Sequence, residues 1–259
     1  TGAFWAVLGL RASLFNLIGI TFLMELIQKG WFAKMDPFDV GAVTPTLAEL
    51  LPYDALLVYP HSGFIDPVAL GDVLAEYLAA GGGVVVGYGA FSDDQGLGGA
   101  FVADQPLLPG PRVQGGSLLV PVIPDHPTLV GTTRFAPGDG HRTATAGPAP
   151  GAVVVATWED GLPLVVTLEP QGLGRVVALN LMPSPNTVDP GFWNVDSDID
   201  DLLARSLLWT TGYEYPYDTA CWAATVLVRD RNCNGTEAVD EVAKTITVAT
   251  PISWSTAAK

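Results

Sequence analysis

Histidine, cysteine and base are what this 259-residue chain has least of. It contains three histidines, two cysteines and twelve basic residues, only four of them lysine, against 27 acids. Few imidazoles and thiols leave little for nucleophilic or transition-metal chemistry. His61, His126 and His141 are spread over 80 residues and lack metal-ligand spacing. A formal charge of −15 argues against any nucleic-acid partner, because such a surface repels phosphate. Charged residues make up only 15% and apolar ones 49%, a balance that excludes a disordered chain and provides for a sizeable core. Long apolar runs are missing too. The most apolar stretch, Ala3 to Ile27, is interrupted by Arg11, Asn16 and Glu25, so it reads as a core strand and a helix rather than a membrane span.

What is present points outward from the cytoplasm. Cys221 and Cys233 lie close together near the C-terminus, the arithmetic of one local disulfide in an oxidising compartment; a pair of buried thiols is the alternative. The first residue is Thr1, as in a mature protein after loss of a signal peptide, and a trimmed chain would start the same way. The expected location is extracellular or at the cell surface.

Along the chain, "FWAVLGL" reads as a first strand, Ser13 as the cap of a helix to about Lys29, and "FAKMDPFDV" as a short second strand. "TPTLAELLPYDALLVYP" combines a brief helix with a buried strand at Ala55 to Tyr59. The clearest helix starts at Asp66-Pro67, places Leu70, Val73, Leu74, Tyr77 and Leu78 on one face, and stops at Gly81. Val84 to Val86 then form a β-branched central strand. Ser92 to Pro150 reads as Gly/Pro/Asp-rich excursions over the sheet edge, with one apolar island at "SLLVPVIPDHPTLVG". Three strands follow within 152–183, and the helix in "DSDIDDLLARSLLWTTG" closes the domain at Gly212. Alternating strands and helices specify an α/β, doubly wound and mainly parallel sheet over residues 1–212, with a small β-rich extension over 213–259.

The run "YDALLVYPHSGFIDPVALGDVLAEYLAAGGGVVVGYGAF", then "DHPTLVGTTRF", then "ATWEDGLPLVV" and "GLGRVVALNLMPSP", resembles the flavodoxin-like class I glutamine-amidotransferase fold. Within that fold the likeness is to the ThuA-like, trehalose-utilisation branch. It implies a nucleophile corner after the central strand and a His with a Glu after a late strand. This chain departs from both. Tyr88 stands between Gly87 and Gly89 at the corner, and the late strand runs into Met182, Pro183 and Ser184. The amidotransferase triad is absent, and a phenol with an ordinary pKa near 10 is a poor nucleophile. His61 beside Ser62 after the third strand, Tyr88, and His126 in the "DHP" that matches the ThuA-like branch are the remaining catalytic candidates. For each, a hydrogen-bonding or space-filling role is the simpler account.

"DRNCNGTEAVDE" fits the twelve-residue pattern D-x-[DN]-x-[DN]-G-x5-E. Asp230, Asn232 and Asn234 would supply side-chain oxygens, Thr236 its carbonyl and Glu241 a bidentate carboxylate, while Gly235 permits the turn. The stretch resembles dockerin and EF-hand loops and predicts Ca2+, a solvated acidic turn being the alternative. Glu237 replaces the usual apolar residue, so affinity should be modest. Asn234-Gly235-Thr236 is also a glycosylation sequon. The tail "KTITVATPISW" alternates like an edge strand and could mediate self-association.

Two functions follow as expectations. The first is a secreted, non-catalytic amidotransferase-like module, calcium-stabilised, that binds a glycan or surface partner or builds an extracellular assembly. The second is a ThuA-like carbohydrate enzyme with His61, Tyr88 and His126 converging on a pocket at the strand ends.

Overall fold

The computed structural model describes Phe32, Asp36 and residues 38–60 and 63–212. The first strand and helix, His61, both cysteines, the Asp230–Glu241 loop and the C-terminal strand lie outside the described residues.

Helix α1 (Leu47–Leu50) begins at a reciprocal cap: Glu49 accepts from the Thr46 backbone N–H at 2.9 Å and from the Thr46 hydroxyl at 2.8 Å. Strand β1 (Ala55–Val58) follows, then helix α2 (Pro67–Ala79). Asp66 accepts from the Ala69 N–H at 2.9 Å, Pro67 occupies the first turn, and Gly81 leaves the helix at φ 91°. These are the start and stop that the sequence predicts. Strand β2 (Gly83–Val86) is buried at every position.

The remaining elements are β3 (Arg112–Val113), β4 (Leu119–Pro121), β5 (Arg142–Thr143), β6 (Val153–Trp158), β7 (Pro163–Leu168), β8 (Val176–Leu179) and α3 (Ile199–Thr210). The main sheet has the order β1-β2-β8-β7-β6-β4. β1, β2 and β8 pair in parallel, whereas β7, β6 and β4 are added antiparallel, so four of the six strands point the same way. The sheet is wound on both faces. Val84, Val86, Val176 and Ala178 face Leu70, Leu74 and Leu78 of α2. Their neighbours Val85, Val177 and Leu179 face Leu202, Leu203 and Leu207 of α3.

Two stretches differ from the sequence reading. Residues 38–40, expected to close a second strand, are not extended, because Asp39 organises a turn: its carbonyl accepts from Ala42 and Val43 and its carboxylate from the Gly41 N–H. The apolar island does not stay outside the sheet. Leu119–Pro121 is its outermost strand, paired antiparallel with β6 through Leu119↔Trp158 and Pro121↔Ala156. An edge is where a strand tolerates proline. Among the described residues no helix is long and apolar enough to cross a membrane.

Candidate functional site at the strand ends

The C-terminal ends of β1, β2 and β8 lie side by side, and the chain leaving them forms the rim where sheets of this kind bind ligands. Packing accounts for the two glycines around Tyr88. A Cβ at Gly87 would come 2.5 Å from Cγ of Pro183 and 3.2 Å from Cβ of Tyr59, and one at Gly89 would come 2.7 Å from Cγ of Pro60. Gly89 also has φ 86°, a left-handed conformation that glycine adopts without strain. The corner is narrow because the turns after β1 and β8 press on it from both sides. Its backbone is fixed as well: Gly87 donates to the Val58 carbonyl at 2.9 Å and Tyr88 to the Leu181 carbonyl at 3.0 Å.

The Tyr88 ring is half-buried, and the residues around it come from the excursions. His141 meets it edge-on at a centroid distance of 5.9 Å, and Phe192 meets His141 in the same way at 5.2 Å. Arg112, paired with Asp94 and donating to Gln95 at 3.1 Å, lies beside the phenol. Burial pushes the Tyr88 hydroxyl pKa above its ordinary 10, the Arg112 charge opposing this and the Asp94 charge adding to it. Tyr88 is therefore a neutral phenol at physiological pH. Below the rim, Trp158, Leu181, Met182, Phe192, Trp193 and His141 enclose a hollow with room for roughly one water molecule.

The turn after β8 is committed to structure. Trp193 Nε1 donates to the Pro183 carbonyl at 3.1 Å, and Ser184 Oγ donates to the Tyr59 hydroxyl at 3.3 Å. Burial raises the Tyr59 pKa too, which keeps that phenol neutral. The overlying loops are tied to one another: Gly115 N–H donates to Asp139, Asp139 N–H to Gly191, and Asn194 N–H to Ala136.

His126 is elsewhere. Its ring lies 5.5 Å from that of Trp209, and the Trp209 carbonyl accepts from Arg175, the residue before β8. Tyr88 is bonded to Leu181, just past the other end of β8. Six residues of extended chain, about 20 Å, separate the two places. The structure thus brings His141 to Tyr88 and leaves His126 at the opposite end of the sheet, while His61 falls outside the described residues. His141 had no local signal beyond the Pro137-Gly138-Asp139-Gly140 turn that precedes it, and Arg112 and Asp94 had none.

His126 caps the short helical turn 127–129, accepting from the Thr128 N–H at 3.2 Å. Burial lowers its pKa from 6.5; the nearby Glu169 acts against this and Arg175 with it. The folded state prefers the neutral ring, so stability is complete above pH 6.5 and falls as the pH drops below it, because the unfolded chain then binds the extra proton. Urea midpoints at pH 7.5 and 5.5 are expected to show this loss, and the part due to the ring should vanish in His126→Asn.

Among the described residues no group of His, Cys, Asp and Glu could hold a metal ion. No protein-family model matches the chain, and no curated protein does. Solved structures do. One is a cytoplasmic protein from Salmonella typhimurium, with TM-score 0.54 and 21% identity over 74% of this chain and 87% of that one. Another is a ThuA-like protein from Bacteroides uniformis, with TM-score 0.50 and 14% identity over 73% and 81%. At these identities the likeness is one of fold: the described domain has the ThuA-like, class I amidotransferase-like architecture.

Proposed function

We propose that this chain is a non-catalytic amidotransferase-like module, secreted, that binds a surface or glycan partner or serves as a subunit of an extracellular assembly. The observation that carries the reading is the state of the corner. Where the catalytic relatives hold a thiol, this chain holds a phenol kept neutral by burial, walled in by His141 and the Arg112–Asp94 pair above a hollow of one water's size. Among the described residues the Tyr88 hydroxyl lies against the Arg112 guanidinium rather than a base, and Ser184 and Trp193 after β8 are hydrogen-bonded to Tyr59 and the Pro183 carbonyl. The carbohydrate-enzyme reading gathers His61, Tyr88 and His126 around one pocket; His61 lies outside the described residues, and Tyr88 and His126 stand at opposite ends of β8.

The C-terminal extension carries the rest of the proposal. Ca2+ is held by Asp230, Asn232, Asn234, Thr236 and Glu241, and a Cys221–Cys233 disulfide closes the loop beside it. Extracellular sites of this class bind at about 0.1–1 mM. Raising calcium from zero to 10 mM should then stabilise by about 1.4–2.7 kcal/mol and raise Tm by several degrees, provided the extension melts with the domain. A melting temperature that ignores both chelator and calcium sinks the calcium assignment. Independently, Tyr88→Phe should leave Tm and every binding activity within error; a sugar turnover abolished by this change overturns the non-catalytic reading.

A further inference from the structure

Charge is spread unevenly along this chain. Residues 35–111 contain ten Asp and Glu and no Lys or Arg, so they carry −10 of the net −15. They form α1, β1, α2, β2 and the helical turn Ala100–Asp104, which is fastened to α2 through the Ala100 N–H and Asp72. The next cation in the chain, Arg112, is already paired with Asp94.

The same layer leaves apolar side chains in solvent. Val43, Ile65, Val68 and Val102 are 54%, 59%, 53% and 45% exposed. They lie on neighbouring segments. Val40 and Val43 belong to the turn that Asp39 organises, and Ile65 N–H donates to the Val40 carbonyl at 3.0 Å. A Cβ at Gly98 would come 2.9 Å from Cγ2 of Val68, and Val102 N–H donates to the Gly99 carbonyl at 3.4 Å. Carboxylates are set among these side chains. Asp39 accepts from the Gly41 N–H, Asp66 from Ala69 and Asp72 from Ala100, while Val68, Asp72 and Glu76 follow one another at i, i+4 and i+8 on one face of α2. Among the described residues none of these four acids is ion-paired. An apolar patch rimmed by such carboxylates marks a contact surface.

The charge indicates what fits there. A second copy would set −10 against −10, and nucleic acid or an anionic lipid surface would meet the same repulsion. The chain's own flanking segments join the domain on the other face of the sheet. Phe32 packs into the α3-side core, and Thr210 at the end of α3 fills the space where a Cβ of Gly83 would stand, at the start of β2, whereas α2 begins past the far end of β1. The occupant that remains is one that brings positive charge and apolar side chains together.

We propose that the Ile65, Val68 and Val102 face of α2 is a docking surface for a cationic amphipathic segment of another protein, which lays apolar side chains on this patch and Lys or Arg against Asp39, Asp66, Asp72 and Glu76. The inference does not rest on the non-catalytic reading of the Tyr88 corner.

The probe is a fluorescently labelled Leu/Lys amphipathic peptide of about 18 residues, a helix of about 27 Å, with Leu/Glu and Ser/Lys peptides of the same length as controls. Titrated with the full-length protein and followed by anisotropy, the Leu/Lys peptide should bind about tenfold or more tighter than either control, and more weakly as NaCl rises from about 0.05 to about 0.5 M. Amides of 65–72 and 98–103 should exchange more slowly in the complex while those of β4 do not change. Val68→Ser with Val102→Ser should weaken binding about tenfold, and Ile65→Ser serves if the double variant folds poorly. Tyr88→Phe should bind like the wild type. Binding that is absent, that the Ser/Lys peptide matches, that survives the serine changes, or that protects 118–123 instead would each overturn the proposal. So would a wild-type dimer whose contact covers 65–72.

Discussion

Asn180→Ala is expected to be among the most destabilising single changes in the protein, lowering stability by about 4 kcal/mol, read as a shift of the urea midpoint at unchanged m value. Asn180 is fully buried just past β8. Its Oδ1 accepts from the Thr143 N–H at 2.7 Å, and its Nδ2 donates to the carbonyls of Thr143 at 2.8 Å and Pro163 at 2.9 Å. One amide thus fastens β5 to β7 and β8. Alanine leaves a buried N–H and two buried carbonyls without it, each costing about 1–3 kcal/mol where relaxation or water does not rescue it. Asn180→Asp separates this account from simple loss of volume. A carboxylate of nearly the same shape can accept from Thr143 but cannot donate to two carbonyls, and its charge is buried. It should therefore be at least as harmful as alanine at pH 7, with the deficit shrinking on acidification as the carboxyl takes up a proton.

That amide also bears on the candidate site. β5 begins one residue after His141, the ring that closes over Tyr88. Arg142 forms two bonds to Asp160, at 3.0 and 2.6 Å, and stacks its guanidinium 5.2 Å from the Trp158 ring. Trp158 in turn donates to the Asn180 carbonyl at 3.2 Å. The cover over the strand ends is thus held by the buried bonds of Asn180 and Trp158 together with the more exposed Arg142–Asp160 pair. A fixed cover suits a module that presents a surface better than one that must admit and release substrate.

What could be read from the sequence follows the range of the interactions. Helix α2 was legible because Asp66, Pro67, the Leu70-Leu74-Leu78 stripe and Gly81 act on their own neighbours. β2 and β8 were legible as unbroken β-branched or apolar runs buried on both faces. β4 was not, because a strand with Pro121 in it and valines left exposed has the composition of a loop; pairing with β6 alone makes it a strand. Asn180 looked like any polar residue at a strand end. The most consequential difference lies in the histidines. His126 sits in a motif and His141 in a Gly-rich turn, so local pattern favoured the first. Which of them reaches Tyr88 is set by the path of an excursion that returns over the rim, and no periodicity encodes that path.

Gly71→Ala sets local propensity against packing, with opposite signs. Gly71 lies in the interior of α2 and is buried there. In an exposed helix, replacing glycine by alanine gains about 1 kcal/mol. Here a Cβ would fall far inside contact distance of the Gly98 carbonyl oxygen and 2.9 Å from the Gly98 carbonyl carbon, both backbone atoms that no side-chain rotation can move aside. The loop cannot retreat freely. Gly98 N–H donates to the Pro67 carbonyl at 3.0 Å, the Ala100 N–H donates to Asp72 at 2.8 Å, and Gly99 has φ 63° with no room for a side chain. Overpacking of this kind costs about 1–3 kcal/mol before the propensity gain is set against it, and backbone against backbone belongs at the upper end. The expected result is a net loss of about 2 kcal/mol, read from the shift of the urea midpoint, with looser packing of 97–100 against α2 visible as faster amide exchange at Gly98 and Ala100. A gain in stability would show that the helix and the loop are not in backbone contact, and with it would go the account of how α2 holds the segment leading from Tyr88 through Asp94 and Gln95.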